Sequence, residues 1–244
     1  MSRFSVLRPV ADLRRTPDGA RDRQVLLGET GTVTDAHGPW SQVQMDKDGY
    51  VGFVQNVMLG PVVTPTYKVA SRATHCYEAA DFKSPDVMSL SHGSRVVVKG
   101  TYGKFAQTEV GFIPLQHLCA LDECAQDTIG TARLFLGTPY LWGGNSAWGI
   151  DCSGLVQAAM TAAGHPCAGD SGDQAKTLGG DVMGDEFTKG DILFWKGHVG
   201  LVSGPDRLIH ANAHHMMVVE EPLQAAIKRI EENGDGPVTG HRRI

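Results

Sequence analysis

Cys152 stands where a glycine-rich stretch, GTPYLWGGNSAWGIDCSG, runs into a segment with apolar residues at helical spacing. Leu155, Val156, Ala159, Met160 and Ala163 mark one face of that helix, and Gly164 ends it. A thiol at a helix start meets unpaired N–H groups and the positive end of the helix dipole. Both favour the thiolate, so a lowered pKa and alkylation well below about pH 8 are expected there. Nucleophilic catalysis also needs a base. His198 opens the segment HVGLVSG, and His210 follows in RLIHAN. If these segments pair as strands through the Gly204–Pro205–Asp206 turn, the histidines become neighbours across a sheet. One imidazole would then take the thiol proton while the other orients its ring. Residue types alone leave a plainer reading open, in which the cysteine is a small apolar group and the histidines are structural.

The elements that must position these groups follow from periodicity. Residues 125–136, AQDTIGTARLFL, carry apolar groups at a helical period, and Gly137 supplies the stop. Beyond Lys189 the chain turns to strands, DILFW, HVGLVSG, RLIHAN and MMVVEE. A helical half followed by an antiparallel half makes residues 122–244 an α+β domain. The preceding chain reads differently. Val25–Leu27 and Val51–Val54 are short apolar runs between turn signals, and Trp40, Val43 and Met45 sit among polar neighbours, as in a half-buried strand. After the stiff PVVTP stretch, VGFIP echoes the earlier VGFVQ, which predicts two small all-β barrels over 1–61 and 62–121.

Composition limits the function classes. A net charge of −5 argues against an electrostatic grip on nucleic acid or anionic lipid. No apolar run is long enough to span a membrane. The opening MSRFSVLRPVADLRR lacks the apolar core of a secretion signal, so a cytoplasmic protein is expected. Five cysteines at irregular spacing fit reduced thiols better than a disulfide framework. Cys119 and Cys124 look like half a zinc site, but no second pair of ligands follows. His210, His214 and His215 compete as metal ligands, yet they crowd one strand and turn. Neither metal nor other cofactor is expected.

Three blocks, GTPYLWGGNSAWGIDCSGL, KGDILFWKGHVGLVSG and LIHAN, agree in order and spacing across residues 137 to 212. Together they resemble the NlpC-type family of bacterial cell-wall peptidases, which have a papain-like core and cut peptidoglycan stem peptides. The resemblance implies an α+β papain-like catalytic domain preceded by two small all-β SH3-like barrels. It places the nucleophile at Cys152, the general base at His198 and the third polar residue, which is His, Asn or Gln in the family, at His210. The chain is similar along nearly its whole length to the subgroup with two N-terminal bacterial SH3-like barrels. That subgroup resembles γ-D-glutamyl-L-diamino acid endopeptidases, which recognise a free N-terminal L-Ala-γ-D-Glu unit.

The same resemblance assigns substrate binding to Tyr140, Asp151, Ser153 and Ser171. A buried ammonium needs a carboxylate partner, which Asp151 supplies, and the D-Glu carboxylate needs donors, which the serine hydroxyls offer. The first barrel closes the cleft in this subgroup, with Glu29 and Tyr50 as its candidates here; otherwise these are a solvated strand end and a barrel-core aromatic. The oxyanion site would combine the Cys152 N–H with a group from the Tyr140–Gly144 loop. Trp142 and Trp148 read as packing residues of that loop, and Arg133, Asp170 and Lys196 have no assigned role. Several relatives carry a Pro-Arg step where this chain has Pro166-Cys167-Ala168-Gly169-Asp170, so this loop departs from the pattern. The implied activity is hydrolysis of the γ-D-glutamyl-L-diamino acid bond of murein stem peptides during recycling. The alternatives are a papain-like amidase or acyltransferase on another amide or lipid, whose relatives have a permuted motif order, and a peptide-binding module without catalysis.

Overall fold

The computed structural model describes residues 2–184 and 186–244. The chain divides into two compact units, Met1–Glu123 with Asn145–Trp148, and Cys124–Gly144 with Gly149–Ile244.

The first unit is all β apart from single helical turns. Strands between Arg3 and Gly60 form one seven-stranded antiparallel sheet that curls around Phe4, Leu13, Val25, Val43, Met45 and Val54. Alternation explains that core: along Trp40–Met45, residues 41, 43 and 45 turn inward, while Trp40, out of that phase, is buried beside the Arg14 guanidinium. A five-stranded and a three-stranded sheet occupy Tyr67–Ala120 around Val69, Cys76, Leu90, Val96 and Ile113. Leu27 joins this second core, and its carbonyl accepts the Arg95 N–H at 2.8 Å.

In the second unit, six antiparallel strands run in the order Gly180–Asp181, Gly240–Arg243, Ile192–Trp195, His198–Gly204, Arg207–Asn212 and Met217–Pro222. Helices α1 (Thr128–Arg133), α2 (Cys152–Ala162) and α3 (Ser171–Thr177) precede most of the sheet, and α4 (Leu223–Ile230) follows its last strand. Strand alternation sorts the two faces. Ile192, Phe194, Val199, Leu201, Ile209 and Ala211 pack with Leu155, Val156, Ala159 and Met160 of α2. Leu193, Trp195, Val202 and Leu208 pack with Leu223, Ala226 and Ile230 of α4. The four strands and two helices expected here are present, and the α+β class is borne out. Helix α4 and the Gly240–Arg243 strand were not expected.

That strand is held by a buried carboxylate. Asp191, fully buried, accepts from Arg243 Nε at 2.6 Å and Nη2 at 2.8 Å, from His241 Nε2 at 2.7 Å, and from the Thr188 N–H at 2.8 Å. Burial opposes ionisation, but the bonds from Arg243, Thr188 and His241 overcome it and hold the carboxyl well below the usual carboxylate range. Among the described residues no helix is long and apolar enough to cross a membrane.

Candidate active site

Cys152 is the first residue of α2, and Asp151 is its N-cap. The Asp151 carboxylate accepts the Gly154 N–H at 2.7 Å, the Ser153 hydroxyl at 3.0 Å and, on its other oxygen, the Gly143 N–H at 2.9 Å. One side chain thus satisfies an orphan donor of the helix and clamps the glycine-rich loop beside the thiol. The loop lies so close that a Cβ on Gly154 would stand 2.5 Å from the Gly144 carbonyl oxygen, which accounts for the glycine of DCSG. Backbone N–H groups of the loop are largely occupied. Tyr140 donates to Met216, Leu141 to Ile150, Gly144 to Leu141, and Gly143 to Asp151. The Tyr140 phenol packs against the core cluster that contains Cys152 and feels its charge. Burial first, then negative charge at Cys152 and Asp151, pushes that phenol well above its ordinary pKa, so it is an O–H donor.

The thiol itself departs from expectation. Cys152 is 7% exposed within the α2 core, and burial followed by the Asp151 charge pushes its pKa up to about 12. Backbone N–H groups of Val199, Ser153 and Cys152 pull the other way without prevailing. The helix dipole was read correctly from the sequence, but burial and the cap's carboxylate outweigh it. In the resting protein the thiol is therefore protonated at neutral pH. Iodoacetamide at about pH 7 is expected to alkylate the exposed Cys124 before Cys152. Peptide mapping of the labelled protein checks this, and faster labelling of Cys152 would show that a thiolate exists at rest.

His198 is the first residue of its strand, and its neighbour Val199 sends its N–H to Cys152. The strand pairs antiparallel with Arg207–Asn212, with Leu201 opposite Ile209. Continuing that register puts Gly200 opposite His210, and a Cβ at Gly200 would come 3.2 Å from the His210 Cβ and 3.1 Å from Leu208 Cδ1. The glycine of HVG is thus the room His210 needs. The two histidines share a face, and His198 Nε2 lies 2.8 Å from His210 Nδ1. Trp195 covers His198, with ring centroids 5.6 Å apart.

Beyond His210 the bonds continue. Its Nε2 lies 2.7 Å from Glu221 Oε1 and 2.9 Å from Asn212 Nδ2. Arg229 of α4 grips Glu221 at both oxygens, at 2.6 and 2.7 Å. Burial, then charge at His210 and Arg229, lowers His198 to about 3. Burial likewise lowers His210, against the pull of Glu221. Burial would raise Glu221, but bonds from His210 and Arg229 hold it at about 2. Burial thus disfavours charge on the thiol and on both imidazoles, and Glu221 stands behind His210 as an anchored carboxylate. Glu221, Arg229 and Asn212 were not singled out in the sequence.

The remaining expected residues are placed as follows. Ser153 is buried with its hydroxyl directed to Asp151, and Ser171 is the half-buried first residue of α3. Gln174, fully buried in α3, donates to the Ser153 and Ala168 carbonyls at 2.9 and 3.0 Å and so ties the loop before α3 to the start of α2. In the first unit, Glu29 is 3% exposed, bonds Lys47 Nζ at 2.6 Å and accepts the Leu26 N–H at 3.2 Å, so it is not a solvated strand end. Tyr50 is half-buried against the barrel core, with the Arg23 guanidinium 5.7 Å from its ring centre. Trp142 and Trp148, expected to pack, are instead 67% and 46% exposed. Arg133 pairs with Glu220 at 2.7 Å, Asp170 caps α3 by position, and Lys196 is exposed. Among the described residues no group of three His, Cys, Asp or Glu is placed to hold a metal ion.

Known proteins resemble the chain in sequence and in fold. The NlpC/P60 family pattern matches residues 137–230, and that of the bacterial dipeptidyl-peptidase Sh3 domain matches residues 13–58. The chain is 32% identical over 217 residues to the Gamma-D-glutamyl-L-lysine dipeptidyl-peptidase of Bacillus subtilis (strain 168), covering 80% of this chain and 73% of that one. A protein of the same name from Bacillus cereus is 27% identical, with 83% and 70% covered. The crystal structure of an NlpC/P60 family protein from Bacillus cereus ATCC 10987 is similar in fold, with a TM-score of 0.83 at 21% identity over 99% of both chains. The chain belongs to the NlpC/P60 family and is a cysteine peptidase with a papain-like α+β domain after an SH3-like all-β region.

Proposed function

We propose that the protein hydrolyses the γ-D-glutamyl-L-diamino acid bond of murein stem peptides that carry a free N-terminal L-Ala. The observation that carries the reading is the hydrogen bond between His198 and His210, with His198 one residue before the Val199 N–H that meets the buried thiol at the start of α2. Cys152 Sγ attacks the γ-carbonyl as His198 takes the thiol proton. His198 then returns it to the leaving amine of the diamino acid, and water hydrolyses the thioester that remains. With both groups neutral at rest, the proton moves during the attack. The Cys152 N–H and the Tyr140 hydroxyl are the donors for the developing oxyanion.

Recognition rests on the same residues. A carboxylate has about four acceptor positions, and three protein donors already use Asp151. One position therefore remains for the substrate ammonium. The names of the Bacillus relatives support a γ-D-glutamyl substrate. Ser153, Ser171, Glu29 and Tyr50 belong to the same proposal as contributors to dipeptide recognition. A substrate with a free L-Ala amine must come from a reaction that first cleaves the amide on that nitrogen, which suits a role in recycling murein peptides.

The test is mass spectrometry of products from L-Ala-γ-D-Glu-meso-diaminopimelate and from its N-acetylated form. Release of L-Ala-γ-D-Glu from the free peptide alone is expected. Equal cleavage of both peptides would overturn the free-amine requirement, and cleavage of neither would favour a different amide or ester as substrate.

A further inference from the structure

A pair of histidines does not by itself decide where the protons sit, and the reading proposed above depends on that choice. Each neutral imidazole has one N–H and one bare nitrogen. The 2.8 Å bond between His198 Nε2 and His210 Nδ1 can run in either direction. If His210 donates, His198 carries its own proton on Nδ1, the nitrogen left for the thiol, and the base is blocked. If His210 accepts, His198 donates from Nε2 and its Nδ1 is bare. An amide oxygen in place of His210 would present an acceptor and no such ambiguity.

The groups on the far side of His210 make the choice. Glu221 Oε1 lies 2.7 Å from His210 Nε2, and a carboxylate only accepts. Arg229 fixes both Glu221 oxygens at 2.6 and 2.7 Å, so the carboxylate can neither rotate away nor readily lose its charge. The Asn212 amide competes for the same nitrogen. Its Oδ1 accepts the His215 N–H at 2.8 Å, which turns Nδ2 toward His210 Nε2 at 2.9 Å and asks for a bare nitrogen there. A charge-assisted bond is roughly twice as strong as a neutral one, and the Glu221 contact is also the shorter, so the proton stays on His210 Nε2. We propose that Glu221, oriented by Arg229, is a positioning residue that sets the tautomers of His210 and His198 and leaves His198 Nδ1 bare for the Cys152 proton. This rests on the catalytic roles proposed above and adds a decision those roles need.

The test uses the full chain labelled with 15N-histidine. In the wild type at neutral pH, both histidines are expected to be protonated on Nε2 with bare Nδ1. In E221A the His198 signal should shift toward the Nδ1-protonated form. Turnover of the stem tripeptide should fall about 10- to 100-fold in kcat with little change in KM, by analogy with lost supporting partners and wrong tautomers elsewhere. In an H210N background, where the third residue brings its own oxygen, E221A should cost less than about threefold. His198 protonated on Nδ1 in the wild type would overturn the proposal, as would an equal loss from E221A in both backgrounds. If E221A does not fold, the wild-type tautomers still decide. The nitrogen signals need no substrate, so a wrong substrate class leaves them unchanged, whereas turnover by C152A would strike the catalytic roles alone.

Discussion

The C152A variant is expected to lose turnover of the stem tripeptide by about 10⁴- to 10⁶-fold while still binding the peptide. The sulfur is the bond-forming atom, so nothing else at the start of α2 replaces it. Residual rate would come only from bound water and the oxyanion donors. Binding should persist because the groups assigned to the dipeptide, Tyr140, Asp151 and Ser153, are untouched. Adding H198A to C152A should cost almost nothing more, since the base acts only through the thiol. Single-turnover mass spectrometry together with calorimetric titration of the peptide reads both parts. Turnover in C152A near the wild-type rate would remove Cys152 as nucleophile.

A second large effect is expected at Asp151, on stability as well as rate. Removing its carboxylate in D151A strips the acceptor from the Gly154 N–H, the Gly143 N–H and the Ser153 hydroxyl, all in a buried setting. Losing a helix cap costs about 1 kcal/mol, and each buried unpaired donor about 1 to 3 kcal/mol more. Partial relaxation leaves on the order of 3 to 5 kcal/mol, or a fall of roughly 10 to 20 °C in the melting temperature of the catalytic unit. Calorimetry of D151A beside D151N separates two roles. Asn retains an oxygen for Gly154 but turns an amide toward one of the other donors, so D151N should recover part of the stability. If D151N recovers the stability and not the rate, the charge serves the substrate ammonium; if it recovers both, Asp151 is a cap and clamp only.

These cases show what was legible in the residue order. The helix start at Cys152 follows from a glycine-rich loop meeting a helical period, and the strands of His198 and His210 from runs of apolar residues around a Gly-Pro-Asp turn. Asp151 has the type and position of an N-cap, a signal present in DCSG. Glu221 was harder to see. Its link to His210 depends on the register that sets His210 opposite Val219, which places residues 219 and 221 on the histidine face. Its anchor, Arg229, lies on α4, a helix of eight residues with no side-chain cap to mark its start. The thiol's pKa was misread because a dipole can be inferred from local order, whereas the depth of burial is set by strands forty to sixty residues away. Trp142 stands 67% exposed, which its residue type and apolar neighbours do not signal.

The hairpin that carries both histidines also limits how such a chain can drift. His198 and His210 share a face only because the residues between them, including the bulge between Val202 and Gly204, keep the strand parity even. Inserting or deleting one residue within either strand, between a histidine and the Gly204–Asp206 turn, with the turn and its flanking pairs kept, would send that imidazole to the opposite side of the sheet. Length variation in those strand segments should therefore survive in lineages only as paired changes, or alongside a compensating bulge. The turn itself stays free to vary in length, while the strand segments that lead from it to each histidine are bound by an arithmetic rule.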